Sequence, residues 1–344
     1  MSVARWIRRL AVAGVLLCFT VVVLGAYVRL TAAGLGCPDW PGCYGHLSPI
    51  GAEASAGAAA YAERPLEPGK AWREMIHRYA ASALGLTILA IAFLAIRARR
   101  QPVVSVPFAL ALLALVVVQG LLGMLTVTWQ LKPLIVTLHL MFGMTTLALL
   151  WWLMLSLRGG SWGAAALGGV GGAIRGGGAS PITSAWRLTL LGLIALAVQI
   201  ALGGWTSSNY AALACADFPT CQGAWWPHTD YRDAFVLWHG LDLNYEVGVL
   251  GNPARVAIHL THRLSALVTS VLLLLAAGFV LRRRGLSATR PRAWAVLAAL
   301  GLQLVIAVSM VLKSFPLWLA TLHTAGAALL LLATLALLRS LSAR

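Results

Sequence analysis

The chain has 344 residues, 60% of them hydrophobic and only 10% charged, whereas a soluble domain carries about 25% charged residues. That composition excludes a soluble globular enzyme and points to a polytopic, all-α membrane protein. The formal charge of +16 would suit a nucleic-acid binder, but its distribution along the chain excludes that class.

Apolar runs near the ~20 residues that cross a bilayer as a helix fall at 10–30, 74–96, 106–128, 133–156, 188–208, 255–281, 293–312 and 317–338. The first, Leu10 to Leu30, is too long for a signal-peptide core and lacks a small-residue cleavage site, so it is read as a retained span. Cys18 lies inside it and is expected to be a packing residue. The loop 31–73 carries Cys37 and Cys43. The second span opens on Glu74 and carries His77 and Arg78. Gln119 lies in the third span and His139 in the fourth, and these two spans form a tight hairpin. Gly159 to Ser180 contains ten glycines and no acidic residue. No strand precedes it and no Gly-Lys-Ser/Thr follows, so it reads as a flexible linker and not a phosphate loop. The fifth span leads into loop 209–254, with Cys215, Cys221, Trp225, Trp226 and Trp238; these tryptophans are expected at the membrane interface. The sixth span carries His262 and Arg263. Gln303 and His323 lie in the last two spans, a second tight hairpin.

With eight spans both termini fall on one side. That side carries 16 basic residues, Arg5, Arg8 and Arg9 among them, and no acidic one. The other side carries 10 basic and 10 acidic residues, so the whole excess of +16 sits on one face. The positive-inside rule makes that face cytoplasmic. Loops 31–73 and 209–254 are then periplasmic, and a bacterial inner membrane with both termini in the cytoplasm is the expected location. Membrane lipid is the expected surrounding, and nucleic acid is not an expected partner.

Four of the five cysteines form the pairs Cys37/Cys43 and Cys215/Cys221. Disulfides persist in the periplasm, so each pair reads as a disulfide or a redox-active dithiol. Zinc is the competing reading, though metal motifs usually space cysteines two to four apart.

The second half repeats the first. Gly25 precedes Cys37, and Gly203 precedes Cys215, by 12 positions, and each cysteine pair encloses an aspartate, an aromatic residue and a proline. His77-Arg78 matches His262-Arg263, and His139 matches His323; the histidines are 62 apart in one half and 61 in the other. Gln119 and Gln303 each lie 20 residues before the last histidine of their half. The chain is therefore expected to form two pseudo-symmetric four-helix bundles, 1–158 and 185–344, joined by the linker 159–184. Halves with an even number of spans share an orientation, related by an axis along the membrane normal.

Ionisable groups inside a bilayer are costly and are functional by default. The four histidines lie near the periplasmic ends of their spans, roughly 10 Å deep, and each half supplies two from its second and fourth helices. Two imidazoles facing across a helix bundle suit a six-coordinate haem iron. A lone copper or zinc ion would want three or four ligands in one place, and covalent haem c is excluded because no Cys-x-x-Cys-His occurs. A single such histidine could be a hydrogen-bonded core residue; four at matching spacing and depth favour a cofactor. Arg78 and Arg263 follow their histidines, where they could snorkel to the interface or pair with haem propionates. The halves differ at one place. Glu74 lies three residues before His77, and the matching residue before His262 is His259. A carboxylate beside one site only suggests that the first half does chemistry and the second holds a permanent haem. A solvated interfacial carboxylate paired with Arg73 or Arg78 is the plainer alternative.

The segment RLTAAGLGCPDWPGC from Arg29 to Cys43, the EMIHR motif from Glu74 to Arg78, and His139, His262-Arg263 and His323 together resemble the haem A synthase family over nearly the whole chain. The resemblance implies oxidation of the C8 methyl group of haem O to a formyl group, giving haem A for cytochrome oxidase. It implies that His77 and His139 serve the substrate haem, that His262 and His323 ligate haem b as cofactor, and that Glu74 is catalytic. It also implicates Cys37 and Cys43 in the reaction or in haem transfer. Haem O, haem O synthase, cytochrome oxidase assembly and a redox partner are the implied associations. Two other classes are open from the residues alone: a di-haem electron-transfer protein and a non-catalytic haem carrier.

Overall fold

The structure is a computed structural model that describes residues 3–52, 61, 64–100, 103–158, 180–240 and 243–342. Most of the expected linker 159–184 lies outside the described residues. Eight helices are long and apolar enough to cross a membrane: α1 (Val3–Leu30), α2 (Pro68–Arg97), α3 (Val106–Thr128), α4 (Pro133–Arg158), α5 (Pro181–Ser208), α6 (Asn252–Arg282), α7 (Arg290–Leu312) and α8 (Leu317–Ser342). Among the described residues there is no strand, only isolated bridges.

The helices overrun several of the apolar runs. α1 begins at Val3 and not at 10, α2 at Pro68 and not at 74, and α5 at Pro181 and not at 188. Backbone hydrogen bonding continues past the hydrocarbon into polar turns, and proline in the first turn is preorganised to start them, as in α2 and α5. Ser180 also caps α5, its hydroxyl accepting the Thr183 N–H at 3.1 Å.

In the first half α1 packs on α2 and α4, and α3 packs on α2 and α4. α2 and α4 are therefore diagonal partners. The second half repeats this, with α5 and α7 flanking the diagonal pair α6 and α8. The halves meet through α4 with α5, α1 with α8, and α4 with α8. One large apolar cluster runs through both, from Ile7 and Leu150 to Leu273 and Leu338. Polar groups on this seam are satisfied across it: the Trp151 indole donates to the Leu332 carbonyl at 2.9 Å and the Trp186 indole to the Ser342 hydroxyl at 2.9 Å. Leucines such as Leu16 and Leu86 point outward, as a lipid-facing surface requires.

The two cysteine loops share one build. Tyr44-Gly45 and Gln222-Gly223 all have positive φ. They form two-residue turns closed by paired backbone hydrogen bonds, Cys43 with His46 and Cys221 with Ala224. Glycine takes the second place because that conformation disfavours side chains. Asp39 accepts the N–H groups of Tyr44 and Gly45, and Asp217 those of Gln222 and Gly223. The Thr220 hydroxyl bonded to Asp217 holds that carboxyl below its usual range, with the turn N–H groups adding to the effect. Trp225 and Trp226 are strongly exposed beside the second turn.

Candidate functional site

His77 on α2 and His139 on α4 face each other across the first bundle, their ring centroids 6.5 Å apart. His262 on α6 and His323 on α8 do the same in the second, also at 6.5 Å. The sequence repeat thus becomes two diagonal imidazole pairs. Metal–imidazole bonds of about 2 Å on each side, with ring centres about 1 Å behind the ligating nitrogens, require centroids roughly 6 Å apart. The observed spacing fits a six-coordinate iron between each pair.

Small residues make room for the rings. A Cβ on Gly25 of α1 would lie 3.0 Å from His77, one on Gly123 of α3 would lie 3.3 Å from His139, and one on Gly203 of α5 would lie 3.3 Å from His262. Nδ1 of His77 and of His139 is buried without a hydrogen bond. No cluster of three or more His, Cys, Asp or Glu side chains suited to a metal ion occurs among the described residues, in keeping with two separate pairs. These observations fit a haem in each half.

Glu74 is the one acidic residue among the buried side chains described. Its Oε1 meets Arg78 Nη2 at 2.5 Å, and its Oε2 accepts the Cys37 N–H at 2.9 Å. Gly36 permits this approach: a Cβ there would lie 2.7 Å from the Lys70 backbone at the start of α2. Arg78 also donates to the carbonyls of Asp39, Pro41 and Gly42. Arg263 donates to the carbonyls of Cys215, Asp217 and Thr220. The sequence left both guanidinium groups to the interface, to haem propionates or to both; in the structure they engage the cysteine loops. The sulfurs of Cys37 and Cys43, and of Cys215 and Cys221, are at bonding distance, with Cα atoms 4.7 Å apart in each pair. Cys18 is free and buried.

His259 is buried at the place matching Glu74, its Nδ1 3.1 Å from the Ala211 carbonyl. Arg263 therefore has no counterpart of the Glu74 ion pair among the described residues.

Two features escaped the sequence reading. Lys132, in the turn between α3 and α4, is buried; its ammonium lies 3.0 Å from the Trp238 ring centroid and donates to the Gly240 carbonyl at 2.5 Å. Burial pushes its pKa down. The Tyr245 N–H donates to the Gln130 carbonyl beside it, so the long loop of the second half is seated on the first half. Arg29 adds a second tie, to the Tyr210 hydroxyl and the Ser207 carbonyl, both at 3.0 Å. The other feature is Gln199, whose amide reaches the His262 ring. A lone lysine in a four-residue turn and a lone glutamine in an apolar span were the available signals.

Eight membrane-length helices, two diagonal histidine pairs and one buried carboxylate define a polytopic membrane protein with two like histidine sites in unequal surroundings. The family described as cytochrome oxidase assembly protein matches residues 8–335. The haem A synthase of Shewanella oneidensis is 41% identical over 331 residues, covering 95% of this chain and 93% of the relative. Those of Beijerinckia indica and Erythrobacter litoralis are 28% and 29% identical, each covering at least 97% of this chain and 93% of the relative. The chain belongs to the haem A synthase family.

Proposed function

We propose that this protein makes haem A by oxidising the C8 methyl group of haem O to a formyl group. The observation that carries the reading is the pair of equivalent histidine sites with a buried carboxylate beside only one of them. The first unit, 1–158, takes haem O as substrate between His77 and His139. The second, 185–344, holds haem b between His262 and His323. Bound there, haem b supplies one-electron transfer. Two successive hydroxylations of the methyl group, each a two-electron oxidation of the carbon that inserts one oxygen atom from a small co-substrate, dioxygen or water, give an aldehyde hydrate, which loses water to leave the formyl group.

The chain's own residues position and polarise. His77 and His139 fix the substrate in the bundle. Glu74 stabilises positive charge developing near the reacting carbon or takes a proton from it. Arg78 and the Cys37 N–H hold that carboxylate in place, and the Cys37–Cys43 disulfide holds the Cys37 loop. Propionate pairing by Arg78 and Arg263 draws on the N–H groups their loop contacts leave over. The setting is a bacterial inner membrane with both termini cytoplasmic, haem O arriving from its synthase and haem A passing to cytochrome oxidase assembly. A redox partner completes the electron balance.

The experiment is pigment extraction from membranes that contain haem O, with and without this protein. Formyl-haem formed only with the protein is the expected result. Haem O bound but unchanged would make the protein a carrier. Stable bis-histidine spectra with no uptake of haem O would make it an electron-transfer protein.

A further inference from the structure

The two halves also differ on the side that carries the basic excess. There the start of α5 and the end of α6 enclose an open groove of about 520 Å3. Leu188 of α5 and Leu274, Leu275 and Gly278 of α6 line it, with Arg282 and Arg283 at its mouth. The groove exists because position 278 is glycine: a Cβ built there meets nothing within 4 Å. In the repeat register His262 matches His77, so Gly278 matches Phe93, Arg282 matches Arg97 and Arg283 matches Ala98. Phe93 is 59% exposed, a ring standing where the second half has open space.

The charge at the mouth is unbalanced. This side of the chain carries no acidic side chain, and among the described residues neither Arg282 nor Arg283 has an ion pair. The Arg283 guanidinium folds back over the Phe279 ring, 4.9 Å from its centroid, which holds its charge against the groove wall. Arginine at this end of a span is expected from topology and from the helix dipole. Neither requires an apolar groove beside it. Leu274 and Arg283 lie roughly 14 Å apart along the helix axis, so a ligand that fills the groove is apolar over that length and anionic at one end.

We propose that this groove binds one anionic phospholipid, with its phosphate at Arg282 and Arg283 and an acyl chain along Leu188, Leu274, Leu275 and Gly278. Basic pockets between spanning helices hold such headgroups. Free phosphate would leave the groove empty, and a phospholipid without net charge would leave the arginines unbalanced. The first half has no such site, because Phe93 and Ala98 stand in place of Gly278 and Arg283.

The test uses the purified, delipidated full chain, equilibrated in detergent with equal amounts of phosphatidylglycerol and phosphatidylcholine and then re-isolated. Retained lipid per chain is counted by mass spectrometry. The chain should retain phosphatidylglycerol about 30-fold over phosphatidylcholine, the effect of two arginines near the membrane surface. The double variant Arg282→Ala, Arg283→Ala should lose that preference. Gly278→Phe, which installs the first-half residue, should lose the retained lipid with every charge in place. The double variant Arg99→Ala, Arg100→Ala removes the same charge beyond the end of α2 and should retain lipid at the wild-type level. Inorganic phosphate in large excess should not displace the lipid. Equal retention of the two lipids by the wild type would overturn the proposal, as would undiminished retention by folded Gly278→Phe. Equal loss from the Arg99 and Arg100 variant would reduce the effect to general attraction and overturn it too. Displacement by inorganic phosphate would make the arginines a phosphate site and not a lipid site. The far-ultraviolet spectrum and thermal midpoint of each variant establish that it is folded.

Discussion

The carboxylate of Glu74 accepts the backbone N–H of Cys37 at 2.9 Å, so one side chain ties the helix that presents His77 to the buried disulfide loop. The same carboxylate pairs with Arg78 at 2.5 Å. Glu74 is thus buried and structural as well as a candidate for chemistry. Gln at this position keeps an acceptor for Cys37 but leaves Arg78 without its counter-charge. Removing one partner of a buried pair costs up to about 3–5 kcal/mol, so Glu74→Gln should lower the thermal midpoint yet fold. Its haem A formation should fall by roughly 100-fold or more, the scale of lost acid–base catalysis, and Glu74→Asp should keep a little activity. Haem O, hydroxylated haem and haem A content are measured. Normal haem A from folded Glu74→Gln would leave the residue only its loop contact.

The paired cysteines should appear as 37–43 and 215–221 links in mass spectrometry of unreduced peptides. Each closes a loop with a sequence separation of 6, for which the chain-entropy estimate is about 2 kcal/mol of stability. Reduction should lower the thermal midpoint. A 37–215 link would refute local pairing, and bound zinc would refute both disulfides.

Lys132 seats the second-half loop on the first half through Trp238 and Gly240. A desolvated cation–π contact is worth about 2 kcal/mol, so Lys132→Met should loosen that seat while keeping the stem packed. Hydrogen exchange over 236–250 should speed up, with the helices unaffected. Unchanged exchange there would show that Tyr245 and Arg29 hold the loop without it.

Reporter fusions at Gly172 and Arg344 should both read cytoplasmic, because the acid-free basic loops lie with the termini. A periplasmic signal at either would contradict the assigned orientation.

The spans, the repeat and the histidine spacing were legible because each is a one-dimensional signal: a run length or a repeated interval. The early starts of α1, α2 and α5 were not, since polar turns such as Pro68 to Arg73 carry no hydropathy mark yet continue the helical ladder. The partners of Arg78 and Arg263 were hidden for another reason. Apart from Glu74, whose pairing with Arg78 the sequence had offered, their acceptors are backbone carbonyls, which have no residue signature. The burial of Lys132 depended on where a loop from the other half came to rest. The asymmetry of Glu74 and His259 was visible in the repeat, but the bond from Cys37 to Glu74 requires the close approach of Gly36 to α2.

The central claim is that one chain carries two haem sites of different kinds, and haem content of purified His77→Ala and His262→Ala measures it most directly. The diagonal pairs place each histidine with a partner in its own half. His262→Ala should lose the tightly held haem b, as should His323→Ala. His77→Ala should keep that haem largely in place and stop haem A formation, as should His139→Ala. Loss of all haem from folded His77→Ala, with haem b retained by His262→Ala, would contradict the account and reverse the assignment of the two halves.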